Sequence, residues 1–344
     1  MRATVVASLV LIATAGALPV SGEQGEAGLV RVTPLGSHAG EFCRNDRALL
    51  FEDPTGLRIL YDPGRTVDET DPRLGEVHLM LLSHAHNDHI GDVRPAGGGT
   101  CAAPVTGAAN ANSNFASIAA SKNAAVFAPG ELSDFLGRKI QSVRGSATPG
   151  CAAVGLDNEA SVPQSAPCVA SLRPGGSRTV RRAGSSAAVR IAAVQAVHSN
   201  GVASALVESP GVAPGTTAYG GGESGFIIQF TNGLTAYLTG DTGLLGDMEH
   251  IIGRYYRPNL IVPNISDTVT LGPDEAAFMI ERLVRPATVM PSHVNEDATS
   301  GGVLRAGTRV ERFAARVRSF TEVVLPLSGV VRSFDGSGRC VGCR

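Results

Sequence analysis

The sequence predicts an α/β sandwich in one domain, because strand-like runs alternate with amphipathic helices in two successive halves. In the first half, apolar runs bounded by turn residues lie at 29–36, 47–53, 57–63, 77–82 and 124–129. In the second half, such runs lie at 189–197, 225–230, 234–241, 259–264, 287–293 and 322–327. The tripeptide TNG between the runs 225–230 and 234–241 predicts a β-hairpin.

Three segments carry apolar residues at helical spacing and are predicted as helices. Their apolar faces are Met248, Ile251, Ile252 and Tyr255; Ala276, Met279, Ile280 and Leu283; and Val310, Phe313, Ala314 and Val317. Pro273, followed by two acidic residues, marks the start of the second helix, because proline suits the first turn and carboxylates favour the positive end of the helix dipole.

The overall composition is that of a globular protein, with 43% hydrophobic and 17% charged residues in 344. The formal net charge of −2 and the scattered arginines predict no nucleic-acid partner. We predict a signal peptide over 1–22, one domain over 23–335 and a short tail over 336–344. The oligomeric state is left open, and a homo-oligomer is compatible with the sequence.

The amino terminus predicts export. One arginine precedes a short apolar run and then small residues, which is the layout of a secretory signal peptide, and the run is too short to span a bilayer. We therefore expect a periplasmic or extracellular protein with no stable membrane anchor after cleavage. Six cysteines agree with an oxidising compartment, and the CxxC of Cys340 and Cys343 is compatible with a local disulfide or with zinc.

Three stretches rich in Gly, Ala, Ser and Pro interrupt the pattern, at 96–123, 142–188 and 211–224. We interpret them as low-complexity insertions, either plain connections or binding loops. The last of them contains Tyr219 and is a candidate substrate-facing loop.

The most informative stretch is SHAHNDHIGD at 83–92, which follows the apolar run VHLMLL. His84 and His86 are two residues apart, so their side chains point the same way in an extended chain. Asp88 and His89 follow in a loop. Imidazole nitrogen and carboxylate oxygen are ligands of Zn²⁺, and this one segment can supply two ligands to each of two adjacent metal ions.

Three more candidate ligands each end an apolar strand-like run: His198, Asp241 and His293. Any one of them alone is compatible with a hydrogen-bonded polar residue at a strand end. Together with the histidine motif they predict a shared metal site at one edge of the fold.

These segments resemble the metallo-β-lactamase superfamily, through SHAHNDHIGD, AVHSN, LTGDTGLLGDM and PSHVN. The residues of the later motifs are similar to those of one branch of this superfamily, the metal-dependent hydrolases related to ascorbate-phosphate lactonase. The resemblance implies a four-layer αββα sandwich with a dinuclear site. It implies His84, His86 and His198 at one metal, Asp88, His89 and His293 at the other, and Asp241 bridging both. Zn²⁺ is the leading expectation, while Mn²⁺ or Fe suits some relatives.

The resemblance implies a hydrolase in which a metal-bridging hydroxide attacks a small-molecule substrate, most simply a lactone or another carboxylic ester. Asp88 or Asp241 would pass a proton to the leaving group. A phosphodiesterase, a β-lactam hydrolase and a metal-binding protein without turnover remain alternatives.

Other polar residues lie near the motifs. Asp92 is either a hydrogen-bond acceptor for a ligating imidazole or a helix cap. Thr239 and Thr242 are predicted to orient Asp241. His38 is a candidate for approaching the site, or else a surface residue. His78 is predicted to be structural, and His250 to face solvent.

Overall fold

Two eight-stranded β-sheets form the inner layers of the fold in this computed structural model, which describes residues 28–207 and 216–343. The predicted signal peptide therefore lies outside the described residues. The strands up to residue 171 are β1 (Val30–Pro34), β2 (Leu49–Glu52), β3 (Arg58–Tyr61), β4 (Leu79–Leu81), β5 (Val93–Gly99), β6 (Pro104–Ala109), β7 (Ala125–Ala128), β8 (Ala160–Val162) and β9 (Cys168–Ser171).

The later strands include seven of the eight strands of the second sheet. In chain order they are β10 (Ser177–Arg182), β11 (Val189–Gln195), β12 (Gly201–Ala203), β13 (Thr217–Tyr219), β14 (Ser224–Gln229), β15 (Thr235–Leu238), β16 (Leu260–Val262), β17 (Thr288–Val289), β18 (Thr299–Ser300), β19 (Val303–Leu304), β20 (Glu322–Val323), β21 (Arg332–Phe334) and β22 (Cys340–Val341).

Helices cover the outer faces of the sheets. They are α1 (Asn87–Ile90), α2 (Asn114–Lys122), α3 (Gly130–Arg144), α4 (Pro273–Phe278) and α5 (Arg309–Val317), with wider helical segments at Met248–Tyr256 and Met279–Val284 and single 3₁₀ turns at Pro72–Leu74 and Ser204–Leu206. Within 28–207 and 216–343, no helix combines the length and the apolar character needed to cross a bilayer.

The first sheet has the strand order β22-β21-β1-β2-β3-β4-β7-β9, and the second has the order β20-β17-β16-β15-β14-β11-β10-β8. Alternate residues of each strand point to opposite faces. In β2, Phe51 packs between the sheets, whereas Leu50 faces the α2 and α3 side. In β14, Ile228 packs between the sheets, whereas Ile227 faces the helices of the second half. This alternation confirms the predicted αββα sandwich.

All eleven predicted strand runs contain strands of the two sheets, and the TNG tripeptide connects the antiparallel pair β14 and β15. The faces predicted for the second and third helices are also confirmed: Ala276, Met279 and Ile280 are buried and Leu283 is half-buried, and every residue of the face beginning at Val310 is buried. Burying each such large apolar side chain contributes about 1.5–3 kcal/mol.

The face predicted for the first helix is wrong in part. Met248 and Ile252 are buried, but Ile251 is 43% exposed and Tyr255 is 68% exposed. The backbone N–H of Arg257 donates to the carbonyl oxygen of Ile252, five residues earlier. This spacing widens the helical turn, so positions three apart no longer share one face.

The stretches interpreted as insertions contain regular structure. Residues 96–123 form most of the β5–β6 hairpin and α2, and residues 142–188 include β8, β9 and β10, which extend both sheets. These strands were not predicted because their sequences consist mostly of small and polar residues, with few large apolar ones. Val162, Cys168 and Val180 are nevertheless fully buried. In the third stretch, 211–215 lie outside the described residues, and β13 pairs with β12.

The carboxyl-terminal tail predicted at 336–344 also contains regular structure. Strand β22 pairs with β21 and forms the edge of the first sheet, and Cys340 and Cys343 form a disulfide. Two further disulfides join Cys43 to Cys101 and Cys151 to Cys168.

Strand direction brings the carboxyl ends of both sheets to one edge. Strands β3 and β4 run parallel in the first sheet, and β15, β16 and β17 run parallel in the second. Strand β11 has the same direction as β15, because each is antiparallel to β14. At this edge the backbone N–H of Ser224 donates to the carbonyl oxygen of Ser83, which joins the two sheets directly.

Gly240 permits this close approach. Its φ is +62°, and a Cβ atom there would lie 2.8 Å from the carbonyl oxygen of Ser224 and 3.3 Å from the Cβ of Ser83. A residue with a side chain would therefore push the sheets apart beside Asp241.

Candidate metal centre

The histidine motif lies directly after β4. His84 and His86 occupy extended backbone, and Asp88 and His89 lie in the single turn of α1. The ring centroids of His84 and His86 are 4.5 Å apart, and those of His84 and His89 are 4.1 Å apart. The short helix thus turns the second pair of side chains back toward the first.

The three downstream residues reach the same point from the second sheet. His198, Asp241 and His293 each follow a strand that ends at the shared edge, namely β11, β15 and β17. His293 has a φ of +46°, an uncommon backbone conformation for a residue other than glycine. All seven predicted site residues therefore lie together.

The seven side chains form three overlapping groups whose ligand atoms lie within 4.8 Å of one another. One group is His84, His86 and His198; another is Asp88, His89 and His293; the third is His84, His89 and Asp241. The first two groups match the two ligand sets that the family resemblance implies.

Asp241 lies between the two sets. Its Oδ2 is 3.2 Å from His293 Nε2, 3.5 Å from His198 Nε2 and 3.9 Å from His84 Nε2. Its Oδ1 is 3.4 Å from His89 Nε2. Two ligand atoms that share a tetrahedral ion at about 2.0–2.2 Å are themselves roughly 3.3–3.6 Å apart, so the three shorter separations fit atoms that share a metal ion, whereas the separation from His84 is longer.

A second observation also supports a metal site here. The Nε2 atoms of His84 and His89 are buried and have no hydrogen-bond partner among the described residues. Buried polar atoms are normally satisfied, so two such nitrogens facing the same carboxylate call for a cation between them.

Burial also keeps several imidazoles in the neutral form that binds metals. It lowers the pKa of His84 well below its ordinary value, with the neighbouring His89 adding to the effect, and it lowers the pKa of His86 and His293. The pKa of His89 moves the other way: against the effect of its burial, Asp241 and the other nearby carboxylates raise it.

A buried carboxylate that the sequence analysis missed orients two of the candidate ligands. Asp62 accepts a hydrogen bond from His89 Nδ1 at 2.8 Å and another from Ser83 Oγ at 2.6 Å. Ser83 Oγ in turn lies 2.9 Å from His84 Nδ1. Both imidazoles therefore direct Nε2 into the centre. Asp62 directly follows β3, which is parallel to β4, and this position is the signal that could have identified it.

The residue that orients Asp241 is Asn264, which the sequence analysis also missed. Asn264 Nδ2 donates to Asp241 Oδ1 at 3.0 Å. Thr239 contacts Asn264 rather than Asp241: its Oγ1 accepts a hydrogen bond from the Asn264 backbone N–H. Thr242 accepts from the Val197 backbone instead. Neither hydroxyl contacts Asp241 directly: Thr239 acts on it through Asn264, whereas Thr242 serves the backbone.

Arg47 is a third residue outside the predicted set. Its guanidinium is buried and donates to Asp88 Oδ2 through Nε and Nη2, at 3.3 and 3.1 Å, and to Asn295 Oδ1 at 2.7 Å. With His89 and His293 it holds the pKa of Asp88 well below the ordinary carboxyl value, although burial opposes the shift.

The remaining predicted residues lie outside the group of seven. Asp92 is bound by Arg65 at 2.6 and 3.0 Å and neither caps a helix nor contacts an imidazole, so both readings of Asp92 are wrong. His38 contacts Ser37 and Cys43 rather than the ligand cluster. His78 is buried and accepts from the Arg58 backbone, and His250 is exposed, as predicted.

Comparison with known proteins agrees with this geometry. Residues 45–293 match the family described as "Beta-lactamase superfamily domain". A protein of Cupriavidus taiwanensis named "UPF0173 metal-dependent hydrolase" is 32% identical over 83% of this chain and 81% of its own length. A protein of the same name from Cupriavidus necator is 28% identical over 89% of this chain and 91% of its own length.

A solved structure has a similar fold. The metallo hydrolase Igni18 of Ignicoccus hospitalis covers 89% of this chain and 99% of its own, with a TM-score of 0.55 and 19% identity. With the sequence matches and the clustered histidine and aspartate side chains, the chain belongs to the β-lactamase superfamily and, within it, to the UPF0173 family of metal-dependent hydrolases.

Proposed function

We propose that this metal-dependent hydrolase holds two divalent ions, Zn²⁺ first among them, and hydrolyses a lactone or another carboxylic ester of a small molecule. The observation that carries the proposal is the position of Asp241, whose carboxylate lies within 3.2–3.9 Å of four imidazole nitrogens drawn from both ligand sets. One carboxylate between two such sets supports a bridged pair of ions rather than a single ion.

In this proposal His84, His86 and His198 hold one ion, and Asp88, His89 and His293 hold the other. His86 would bind through Nδ1, which faces His198 Nε2 at 3.2 Å, while its Nε2 lies 3.2 Å from Ser199 Oγ. His84 and His89 would bind through Nε2, because Ser83 and Asp62 occupy their Nδ1 atoms.

Bound divalent ions polarise a carbonyl oxygen and lower the pKa of water. The chain must also move a proton to the leaving oxygen. Asp241 is only 4% exposed and its Oδ1 accepts from Asn264, whereas the Asp88 side chain is 32% exposed. Arg47 and His293 contact Asp88 through Oδ2. We therefore assign proton transfer to Asp88 at Oδ1 and the bridging role to Asp241.

The sequence motifs that resemble the lactonase branch favour a carboxylic ester over a phosphodiester as the substrate. The positive charge of Arg47, buried beside the ligands, is engaged by Asp88 and Asn295 and so is not offered to a phosphate group. A small-molecule substrate, rather than a nucleic acid, fits the net charge of −2.

Export to the periplasm or the extracellular space belongs to the same proposal. Three disulfides join all six cysteines, which supports folding in an oxidising compartment. Fractionation of cells producing the full chain tests it: recovery of the whole protein in the cytoplasm, at full length, would contradict export.

The test of function begins with elemental analysis of protein lacking residues 1–22, beside His86→Ala. The same samples are assayed with δ-valerolactone, bis(4-nitrophenyl) phosphate and the chromogenic β-lactam nitrocefin. We expect about two metals per chain, lactone hydrolysis as the fastest reaction, and the loss of both metal and activity in His86→Ala. Elemental analysis also decides among zinc, manganese and iron.

Other results would select other functions. Faster turnover of the phosphodiester would favour a phosphodiesterase, and faster turnover of nitrocefin a β-lactam hydrolase. Two metals without turnover of any of the three would favour a metal-binding protein. Folded wild-type protein that takes up neither Zn²⁺ nor Mn²⁺ would overturn the metal centre itself.

A further inference from the structure

The segment that follows β11 contacts the histidine motif through three consecutive residues. His198 Nε2 lies 3.2 Å from His86 Nδ1, and Ser199 Oγ lies 3.2 Å from His86 Nε2. Asn200 Oδ1 accepts a hydrogen bond from the Ala85 backbone N–H at 2.8 Å. Because Ala85 directly precedes His86, this last contact holds the backbone of the motif itself rather than one of its side chains.

A glycine-rich turn holds the amide of Asn200 from the other side. Asn200 Nδ2 donates to the carbonyl oxygens of Gly220 and Gly222, at 3.0 and 3.4 Å. The Gly220 backbone N–H donates in return to the Asn200 carbonyl oxygen at 2.8 Å. Two carbonyl oxygens need a donor and the Ala85 N–H needs an acceptor, so this position suits the amide of asparagine and not a carboxylate.

The fit around this amide is close. A Cβ atom at position 220 would lie 2.7 Å from Asn200 Oδ1 and 2.9 Å from the Asn200 carbonyl oxygen. Even a methyl group on Gly220 would therefore displace the amide from the position in which it contacts Ala85.

The His84–His86–His198 set depends on contacts between the two sheets, because two of its members follow β4 and the third follows β11. In the other set, His89 and Asp88 are held by Asp62 and Arg47, which lie next to strands of the first sheet. The amide of Asn200, two residues after His198, thus joins the segments that carry the first set.

We propose that Asn200 is a positioning residue for the His84–His86–His198 set. Its amide fixes the backbone between His84 and His86 against the segment that carries His198, and so keeps the spacing of ligands that come from different sheets. This role rests on the proposed function, because it concerns one of the two ions of that proposal. It assigns to Asn200 the selective support of that ion.

The test measures Zn²⁺ binding in the absence of substrate. The two Zn²⁺ affinities are determined by competition with the chromophoric chelator Mag-fura-2 for the wild type, for Asn200→Ala and for the control Asn110→Ala. Asn110 matches Asn200 in burial, since each is 6% exposed. Its amide also accepts from one backbone N–H and donates to two oxygen atoms, but its partners lie at 112, 114 and 117, away from the ligand segments.

We expect Asn200→Ala to weaken the binding of one Zn²⁺ ion about tenfold or more, the usual effect of removing a contact that orients metal ligands. The affinity for the other ion should stay at the wild-type value, and Asn110→Ala should change neither. Equal weakening of both ions in Asn200→Ala, or equal effects of the two variants, would overturn the positioning role.

A double variant identifies which ion is affected. His198→Ala removes a ligand of the first set, so adding Asn200→Ala should cause no further loss of affinity for the Zn²⁺ ion that remains, because residues that act on the same site are not additive. A further loss in the double variant would mean that Asn200 supports the whole fold, and would overturn its selective role.

Amide hydrogen exchange of Ala85 in metal-free protein tests the contact without any metal. The Ala85 N–H is buried and donates to Asn200. We expect slow exchange in the wild type and in Asn110→Ala, and faster exchange in Asn200→Ala and in Gly220→Ala. Unchanged exchange in the last two variants would overturn the contact, and Gly220→Ala keeps the test decisive if Asn200→Ala does not fold.

Failure of the hydrolase proposal gives a different result. Wild-type protein that binds two Zn²⁺ ions but turns over no substrate would contradict the function while the affinities still decide the role of Asn200. Wild-type protein that binds no Zn²⁺ would overturn both.

Discussion

The Nδ1 atom of His89 lies 2.8 Å from the carboxylate of Asp62, a residue that is fully buried and is not itself among the proposed ligands. Asp62 also accepts from the Ser83 backbone N–H at 2.9 Å. A carboxylate that accepts from a ligating imidazole fixes its tautomer and raises its basicity. This contact connects Asp62, which follows β3, to the proposed ligand His89, which follows β4.

The first prediction concerns Asp62→Asn. The amide keeps the size of the carboxylate but loses its charge, so His89 becomes a weaker ligand. We expect metal affinity at the Asp88–His89–His293 set to fall about 10–100-fold. Competition with a chelator measures this affinity. Asp92→Asn is the control, since Asp92 binds Arg65 rather than an imidazole; an equal loss in both variants would contradict the role of Asp62.

The second prediction concerns Asn264→Ala. Removing the amide leaves the buried Asp241 Oδ1 without the donor that lies 3.0 Å away. We expect activity on δ-valerolactone to fall about tenfold or more, with one or both metals bound more weakly, because the bridging carboxylate loses its orientation. Thr242→Val is the control, since its hydroxyl serves the Val197 backbone. Full activity in Asn264→Ala would show that Asp241 needs no such support.

The sequence predicted the clustered side chains better than it predicted the residues that support them. The seven site residues were identifiable because costly polar groups follow apolar strands, and strand direction brings those ends to one edge. Asp62, Arg47 and Asn264 carry no local pattern of this kind. Their roles depend on which strands become neighbours, and β3 and β4 are brought side by side only by the sheet topology.

The same distinction holds for the fold. Long apolar runs predicted the central strands, where both faces are covered. Strands at or next to a sheet edge, such as β9 and β10, were missed because they contain few large apolar residues, and the arginines of β10 conceal its alternation. The helix at Met248–Tyr256 was identified, but its wide turn depends on tertiary packing that a repeat of 3.6 residues does not describe.

The third prediction concerns pH and the metal-free protein. Burial lowers the pKa of His84, His86 and His293 below the ordinary value of 6.5. Because the unfolded chain then takes up these protons first, stability should fall as the pH drops below about 6.5. His89 contributes with the opposite sign, since its pKa is raised, but it is one residue against three.

Urea unfolding of chelator-treated protein between pH 7.5 and 5 measures this dependence. The variant His84→Gln, which removes the most strongly lowered of the three groups, should show a shallower fall in unfolding free energy across the same range. A stability that rises on acidification would mean that His89 dominates the cluster.

The last prediction concerns Arg47→Met, also in metal-free protein. Methionine fills much of the volume of the buried side chain but leaves Asp88 and Asn295 without their donors. We expect a loss of about 1–3 kcal/mol in unfolding free energy, the cost of leaving buried polar groups unsatisfied. Arg44→Met is the matched control. Arg44 also binds an aspartate, Asp297, but its own side chain is 44% exposed, so its loss should cost less than about 1 kcal/mol. Similar losses in the two variants would mean that Arg47 contributes as an ordinary surface ion pair, and that Asp88 is held in position by His293 and its own helix instead.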